Sequence, residues 1–163
     1  MCLHKFVDMS IEQEVQQVKF KSEYQKASIN LMYTVSSITH HHLQVLKKFG
    51  LTTPQFNILR ILRGQYPKAT TVNDLINRMI DKASNASRIV EKLRAKKLVE
   101  RSVSSNDRRA VDVKITEAGL ELLSKIDHIE DEFFFGTSSL TVDEAKMLNY
   151  LLDKGRETKI RTK

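Results

Sequence analysis

A run of short polar and basic side chains between residues 84 and 96 has the chemistry needed to contact nucleic acid. Short or hydrogen-bonding side chains suit the edges of bases in a major groove. Those of this type are Ser84, Asn85, Ser87 and Arg88. Lys92 and Lys96 follow at helical spacing and suit phosphate groups. The segment therefore predicts a helix that reads bases with its first half and meets the backbone with its second.

A second candidate for DNA contact lies between residues 104 and 110. Arg108 and Arg109 could enter a neighbouring minor groove, where narrow A·T stretches concentrate negative potential. Asp107 would be repelled by phosphate, so we assign it to holding one of the two arginines. Arg108 is the preferred structural partner and Arg109 the preferred DNA contact, and the reverse order is left open.

The charge distribution points to the same part of the chain. The net charge is +7, and residues 78–114 carry 11 basic and 5 acidic side chains, whereas residues 115–153 carry 2 and 9. A basic block next to an acidic one is a natural place for a polyanion to dock, although a merely solvated face has the same composition. Double-stranded DNA is the expected partner.

Composition excludes several other classes of protein. With 163 residues, 40% hydrophobic and 29% charged, the chain can bury a core and is not disordered. No apolar run approaches the roughly 20 residues that a membrane span needs, and no secretory signal is recognisable, so we expect a cytoplasmic protein with no membrane partner. The one cysteine, Cys2, is a weak catalytic candidate.

Caps and apolar periodicity predict the order helix, helix, helix, helix, hairpin, helix, helix. A long or interrupted first helix ends near Phe49, with Gly50 in a left-handed turn. Asp81 is expected to cap the fourth helix. Alternation in segments 99–103 and 111–115 predicts two strands. The expected fold class is mainly α with a small β-hairpin wing, in which a winged helix-turn-helix domain is flanked by terminal helices.

Three stretches of the chain resemble the MarR-type winged-helix transcriptional regulators of bacteria and archaea. They are segments 51–59 and 84–101, and a third in which Asn106-Asp107-Arg108-Arg109-Ala110-Val111 leads to Thr116-Glu117-Ala118-Gly119. The resemblance implies a sequence-specific, ligand-responsive repressor that binds a pseudo-palindromic operator as a homodimer. The chain departs from the family at Ile80 and Lys97, where glycine is usual, and a lysine in a left-handed turn is strained by roughly 1 kcal/mol.

The resemblance also implies how the chain is divided and how it associates. Residues 1–50 and 116–163 are expected to form the dimerisation region, and residues 51–115 the DNA-binding domain. Two apolar stripes, expected to be exposed, are assigned to the dimer contact. Their residues are Ile11, Val15, Val18, Leu148, Leu151 and Leu152.

The resemblance to the family implies a small aromatic or anionic effector, but no motif in the sequence indicates its binding site. The residues expected to line its pocket are Tyr33, Ser37, His41, Phe56 and Arg60. No metal is predicted, because the adjacent imidazoles at 40–42 point in different directions on a helix and cannot share one ion. A metal site would need a further ligand from elsewhere, such as His128 or a carboxylate, and this alternative is left open. No cofactor is predicted.

Catalysis is not predicted, because the chain has no phosphate-binding loop, nucleophile arrangement or metal framework at a recognised spacing. The alternative to a regulator is an architectural or protein-interaction module that keeps the winged fold without operator specificity. Affinity for an operator compared with a random duplex separates the two.

Overall fold

The structure, a computed structural model, describes residues 10–82, 85–104, 110–130 and 140–157. Seven helices and three short strands lie within these ranges. In chain order they are α1 (Ile11–Glu14), α2 (Glu23–Lys48), α3 (Thr53–Arg63), β1 (Thr70–Thr71), α4 (Val72–Arg78), α5 (Ala86–Ala95), β2 (Val99–Val103), β3 (Val111–Ile115), α6 (Glu117–Glu130) and α7 (Val142–Arg156). None of the helices in these ranges combines the length and the apolar character that crossing a membrane requires.

The chain forms two compact units, residues 1–44 and residues 45–163. In the first unit the short helix α1 is joined to α2 by polar contacts: Lys26 Nζ lies 2.5 Å from Glu12 Oε1, and the Tyr33 hydroxyl donates to Glu14 Oε2. The predicted boundaries at residues 50 and 115 separate the dimerisation segments from the DNA-binding domain. This functional division stays a prediction.

The N-terminal apolar spacing does not continue as one helix. α1 ends at Glu14, Gln16 adopts a left-handed φ of 52°, and Val18 is 87% exposed. Ile11 is buried, so the expectation that it belongs to an exposed stripe is wrong. The left-handed residue interrupts the 3.6-residue period, and Ile11 and Val18 therefore have different environments.

The second unit is a winged helix domain, and the predicted fold class is confirmed. Its sheet is antiparallel with strand order β1-β3-β2, and Val99 pairs with Ile115 while Val103 pairs with Val111. The hairpin was predicted, but β1 was not, because two residues are too few to show a strand period. Thr71 also caps α4 by accepting from the Asp74 N–H at 3.2 Å, so this segment looks like a helix start alone.

The core of this unit is formed by apolar faces from the end of α2, helices α3 to α6 and the sheet. Its fully buried side chains include Leu46, Ile58, Leu59, Leu62, Leu75, Val90, Leu93, Val113, Leu123 and Ile126. α5 packs against α3, α4 and β2, and this packing fixes which side of α5 faces solvent. α6 contributes Leu123 and Ile126 to the same core.

A tight joint connects the end of β3 to the start of α6. Thr116 Oγ1 accepts from the Gly119 N–H at 3.1 Å and donates to the Lys97 carbonyl at 2.9 Å, while the Thr116 N–H donates to the Leu98 carbonyl at 3.1 Å. A Cβ at Gly119 would lie 2.5 Å from the Leu98 carbonyl oxygen and 2.7 Å from Ile115 Cγ1. Only glycine allows α6 to approach the turn after α5 this closely.

Replacing Gly119 with alanine should therefore destabilise the winged domain. The clash involves backbone, so we expect the free energy of unfolding to fall by about 2 to 3 kcal/mol. The matched control is Gly155→Ala in α7, where a Cβ would meet nothing within 4 Å; there a gain of up to about 1 kcal/mol in helix propensity is expected. Urea unfolding of both variants measures the difference, and equal stabilities would contradict the proposed close approach.

Candidate nucleic-acid interface

The start of α5 is fixed by Asn85 rather than by Asp81. Asn85 Oδ1 accepts from the backbone N–H of Arg88 at 3.0 Å, which makes Asn85 the N-cap. The prediction that Asp81 caps this helix is wrong, because Asp81 lies outside α5 and four residues before the residue that caps it. Asparagine and aspartate cap helices about equally well, so capping propensity alone does not distinguish the two positions.

The outward side of α5 carries the side chains predicted to meet DNA. Asn85, Ser87, Arg88 and Lys92 are all exposed, while Ala86, Val90 and Leu93 are buried on the opposite side. Ser84, also predicted for this surface, lies outside the described residues. The structure therefore brings four of the five predicted recognition-helix residues to one exposed surface, and their contact with bases stays a prediction.

Lys96, also exposed, makes a contact within the chain. Its ammonium donates to the carbonyl of Gly50, which has a left-handed φ of 63° as predicted for the turn after α2. One of the three donor hydrogens of this exposed ammonium is thus used at the end of α2, and its contact with phosphate stays a prediction. The sequence could not reveal this contact, because the two residues are 46 positions apart.

The two positions where the family usually has glycine behave differently. Lys97 has a φ of 60°, so the predicted left-handed turn is confirmed. The Lys97 N–H donates to the Arg94 carbonyl at 2.8 Å and the Leu98 N–H to the Leu93 carbonyl at 3.1 Å, the pattern of a Schellman motif. Ile80 has no positive φ; its N–H donates to Asn57 Oδ1 at 3.0 Å and its side chain is exposed.

A cluster of charged side chains joins α5 to the wing strand β2. Glu91 Oε1 accepts from Arg94 Nε at 2.9 Å and Nη2 at 2.5 Å, and Glu91 Oε2 lies 3.6 Å from Arg101 Nη1. The hydrogen bond from Arg94 lowers the pKa of Glu91. The Glu91 and Arg94 pair is visible in the sequence as an i,i+3 spacing, but nothing in the sequence indicates the contact across to Arg101.

The predicted wing contacts fall on a loop whose ends are close together. The Ser104 N–H donates to the Ala110 carbonyl at 3.0 Å, which extends the β2 and β3 pairing by one step. Asp107, Arg108 and Arg109 lie outside the described residues. Their assignment to the minor groove and to a structural ion pair stays a prediction.

The predicted effector residues are distributed over both units. In residues 1–44, Tyr33 donates to Glu14, Ser37 is exposed and His41 is half-buried. In residues 45–163, Phe56 is buried and the Arg60 guanidinium carbon lies 5.7 Å from its ring centroid. Arg60 Nη1 also lies 3.0 Å from Asp127 Oδ1, and Arg63 pairs with the same carboxylate. A common pocket stays a prediction.

The predicted dimer contacts have unequal exposure. Leu151 is exposed, Val15, Leu148 and Leu152 are half-buried, and none of the residues of α7 is buried. On α2, further large apolar side chains are exposed: Tyr24, Leu31, Met32, Val35 and Leu43. Two helices therefore present apolar surface that a single chain leaves in contact with solvent.

The histidine run is part of α2. His40 Nε2 lies 2.9 Å from the Gln44 amide nitrogen, one turn further along. Among the described residues no three histidine, cysteine or acidic side chains come together as a metal site would require.

Comparison with known proteins identifies the family. The profile of the MarR family matches residues 49–110. The HTH-type transcriptional regulator MgrA of Staphylococcus aureus is 30% identical over 111 residues, which cover 68% of this chain and 74% of MgrA. The chain belongs to the MarR family. The HTH-type transcriptional repressor IacR of Pseudomonas putida is 28% identical over 116 residues, 71% of this chain and 68% of IacR.

Solved MarR-family structures share the architecture. A MepR–DNA complex from S. aureus matches with a TM-score of 0.67 at 23% identity, over 78% of this chain and 92% of MepR. A mutant of MarR from E. coli matches with a TM-score of 0.59 at 27% identity, over 77% and 93% of the two chains. The chain is thus a winged-helix transcription regulator of the MarR family, and the relatives named above are regulators rather than enzymes.

Substitutions of Asn85 test its role as the N-cap of α5. Asn85→Ala removes the cap of the recognition helix and should lower the free energy of unfolding by about 1 kcal/mol. Asn85→Asp keeps an acceptor for the Arg88 N–H but loses the amide donor, so its stability should match the parent protein. Ser87→Ala, on the same exposed surface, is the control, and we expect its effect to stay within about 0.5 kcal/mol. Thermal unfolding measures all three, and equal losses for Asn85→Ala and Ser87→Ala would remove Asn85 as the cap.

Proposed function

We propose that this MarR-family chain is a sequence-specific, homodimeric repressor that reads a pseudo-palindromic operator through α5 and responds to a small effector. The observation that carries the proposal is the exposed start of α5, where Ser87 and Arg88 lie outward beside the Asn85 cap. Helices in this arrangement enter a major groove by their first turns. The MepR–DNA complex with the same fold supports the assignment.

A repressor acts by covering a promoter, and a two-fold reader recognises two half-sites about 34 Å apart. An effector that changes the separation of the two α5 helices would then weaken binding, because a fixed spacing matches one operator geometry. IacR, a relative at 28% identity, is named a repressor. The alternative is an architectural module with the same fold, which would bind operator and random duplexes equally.

Arg88 and Lys92 provide a matched pair for testing base recognition, since both are exposed cations on α5. An operator is first obtained by selection from random duplexes. Arg88→Ala should then lose about 1 to 3 kcal/mol at one base pair per half-site if Arg88 contacts guanine. Lys92→Ala should weaken binding to all sequences and lower the slope of log K against log salt by about 0.9 per subunit.

Titrations of operator and scrambled duplexes at several salt concentrations measure both effects. A uniform loss for Arg88→Ala would assign Arg88 to phosphate. Failure of the selection to enrich any sequence, with equal affinity for every duplex, would favour the architectural module.

The dimer prediction rests on the apolar side chains that α2 and α7 leave exposed. Charged substitutions of Leu148 and Leu151 to Glu should produce a monomer in sedimentation at micromolar concentration, because burying these charges at an interface is costly. The monomer should bind a single half-site weakly. Asn149→Glu adds charge on another side of α7 and should leave the association unchanged. A parent protein that sediments as a monomer would refute the homodimer.

The effector proposal is supported by the Arg60, Phe56 and Asp127 cluster. The guanidinium of Arg60 is partly exposed, pairs with Asp127 and lies over an aromatic ring. An aromatic carboxylate offers Arg60 the same charge as Asp127 and the same ring contact as Phe56.

Thermal unfolding with aromatic carboxylates should reveal compounds that raise Tm, and an effector among them should also lower operator affinity. Linkage then requires operator DNA to weaken the binding of that compound by the same factor. Arg60→Ala should abolish the rise in Tm, whereas Lys68→Ala, an exposed cation outside the cluster, should retain it. Stabilising compounds that leave operator affinity unchanged would contradict the sensor role.

A further inference from the structure

Glu91 is the one acidic side chain of the recognition helix α5. It lies four residues after Ser87 and three after Arg88, so it shares their outward side of the helix. A carboxylate so close to the expected DNA surface would repel phosphate. We therefore asked which function of the Glu91 carboxylate could compensate for its repulsion of phosphate.

One such role, direct recognition of a base, is disfavoured by the contacts of Glu91. A glutamate can accept a hydrogen bond from the amino group of cytosine. In this structure, however, Oε1 accepts two N–H groups of Arg94, at 2.9 Å and 2.5 Å, and Oε2 faces Arg101 Nη1 at 3.6 Å. Both oxygens are therefore directed at arginines of the same chain.

The two arginines belong to different elements. Arg94 lies in the last turn of α5, and Arg101 lies in β2, the strand that leads into the wing loop. Together with Lys97 they contribute three cations to a surface groove of about 460 Å³, which Val99, Glu100 and Thr116 also line. Glu91 thus holds two guanidiniums beside the expected DNA surface.

Unrestrained arginines at this place would have a predictable effect. Long cationic side chains reach phosphates of any sequence, and such contacts supply essentially all non-specific binding. They carry no sequence information. Restraining them lowers affinity for random DNA more than affinity for an operator, where base contacts contribute as well.

We propose that Glu91 is a specificity-determining positioning residue, which restrains Arg94 and Arg101 from phosphates of non-operator DNA. The inference rests on the proposed function and adds a second contribution to sequence preference. Sequence preference depends on side chains that read bases and also on a carboxylate that limits indiscriminate phosphate contacts.

Glu100 provides the matched control. It is exposed, it lies on β2 next to Arg101 and it lines the same groove. Within the described part of the chain Glu100 makes no ion pair with an arginine, whereas Glu91 contacts two. Glu100→Gln therefore removes the same charge from the same neighbourhood without releasing a guanidinium.

The experiment measures the affinities of the full-length chain and its variants for a selected operator and for a scrambled duplex, over a range of salt. Glu91→Gln should raise affinity for the scrambled duplex roughly tenfold and steepen its salt slope by about 0.9 for each arginine released per subunit. The ratio of operator affinity to scrambled affinity should fall. Glu100→Gln should change both duplexes alike and leave that ratio and the slope unchanged.

A second background isolates the arginines. In the Arg94→Ala, Arg101→Ala double variant, Glu91→Gln should have no effect beyond that of Glu100→Gln, because there is nothing left to release. Glu91→Ala, which removes both acceptor oxygens, should act in the same direction as Glu91→Gln in the parent chain. Thermal unfolding confirms that each variant is folded.

Two results would overturn the inference. Equal changes in affinity and salt slope from Glu91→Gln and Glu100→Gln would show that Glu91 acts only through its negative charge and not by holding the arginines. Loss of operator affinity at unchanged scrambled affinity would make Glu91 a base-reading residue. If the parent chain prefers no sequence, the proposed function fails separately, and the comparison of salt slopes on the scrambled duplex still tests the restraint.

Discussion

The arrangement of the candidate interface depends on the backbone joint formed by Leu98, Thr116 and Gly119. The Leu98 carbonyl accepts from Thr116, the Thr116 hydroxyl donates to the Lys97 carbonyl, and Gly119 permits this approach because it has no Cβ. The joint connects the turn after α5, the residue that precedes β2 and the start of α6. These hydrogen bonds therefore hold the start of α6 against the turn between α5 and β2.

Polar side chains near α5 fall into two groups, those that have partners within the chain and those that are exposed without an ion pair among the described residues. Asn85 caps the helix, Lys96 donates to Gly50, and Arg94 is held by Glu91. Arg88 and Lys92 make no ion pair among the described residues, and both are exposed. The +6 charge of residues 78–114 therefore overstates the charge that is available to DNA, because some of these cations complete helix ends or neutralise a carboxylate.

The acidic segment 115–153 makes structural contacts at two places in the second unit. Asp127 of α6 pairs with Arg60 and Arg63 of α3, and Glu117 accepts from the Tyr66 hydroxyl at 2.8 Å. The hydrogen bond to Glu117 raises the pKa of Tyr66. These contacts fasten α6 to α3 and to the loop before β1. The contrast between basic and acidic segments thus reflects internal pairing as well as attraction to a polyanion.

Local signals in the sequence predicted the fold class, most helix starts, the hairpin and the left-handed turn at Gly50, because periodicity, caps and backbone sterics act between near neighbours. The left-handed turn at Lys97 was expected only from the glycine that is usual there in the family. The sequence also determined which side of α5 is exposed, since Ala86, Val90 and Leu93 are apolar at helical spacing. The tertiary structure alone decided that Asn85 rather than Asp81 caps α5, that Ile11 is buried, and that Lys96 and Arg101 pair with Gly50 and Glu91. A partner distant in the chain leaves no local pattern, and a choice between two residues of equal capping propensity depends on where packing allows the helix to begin.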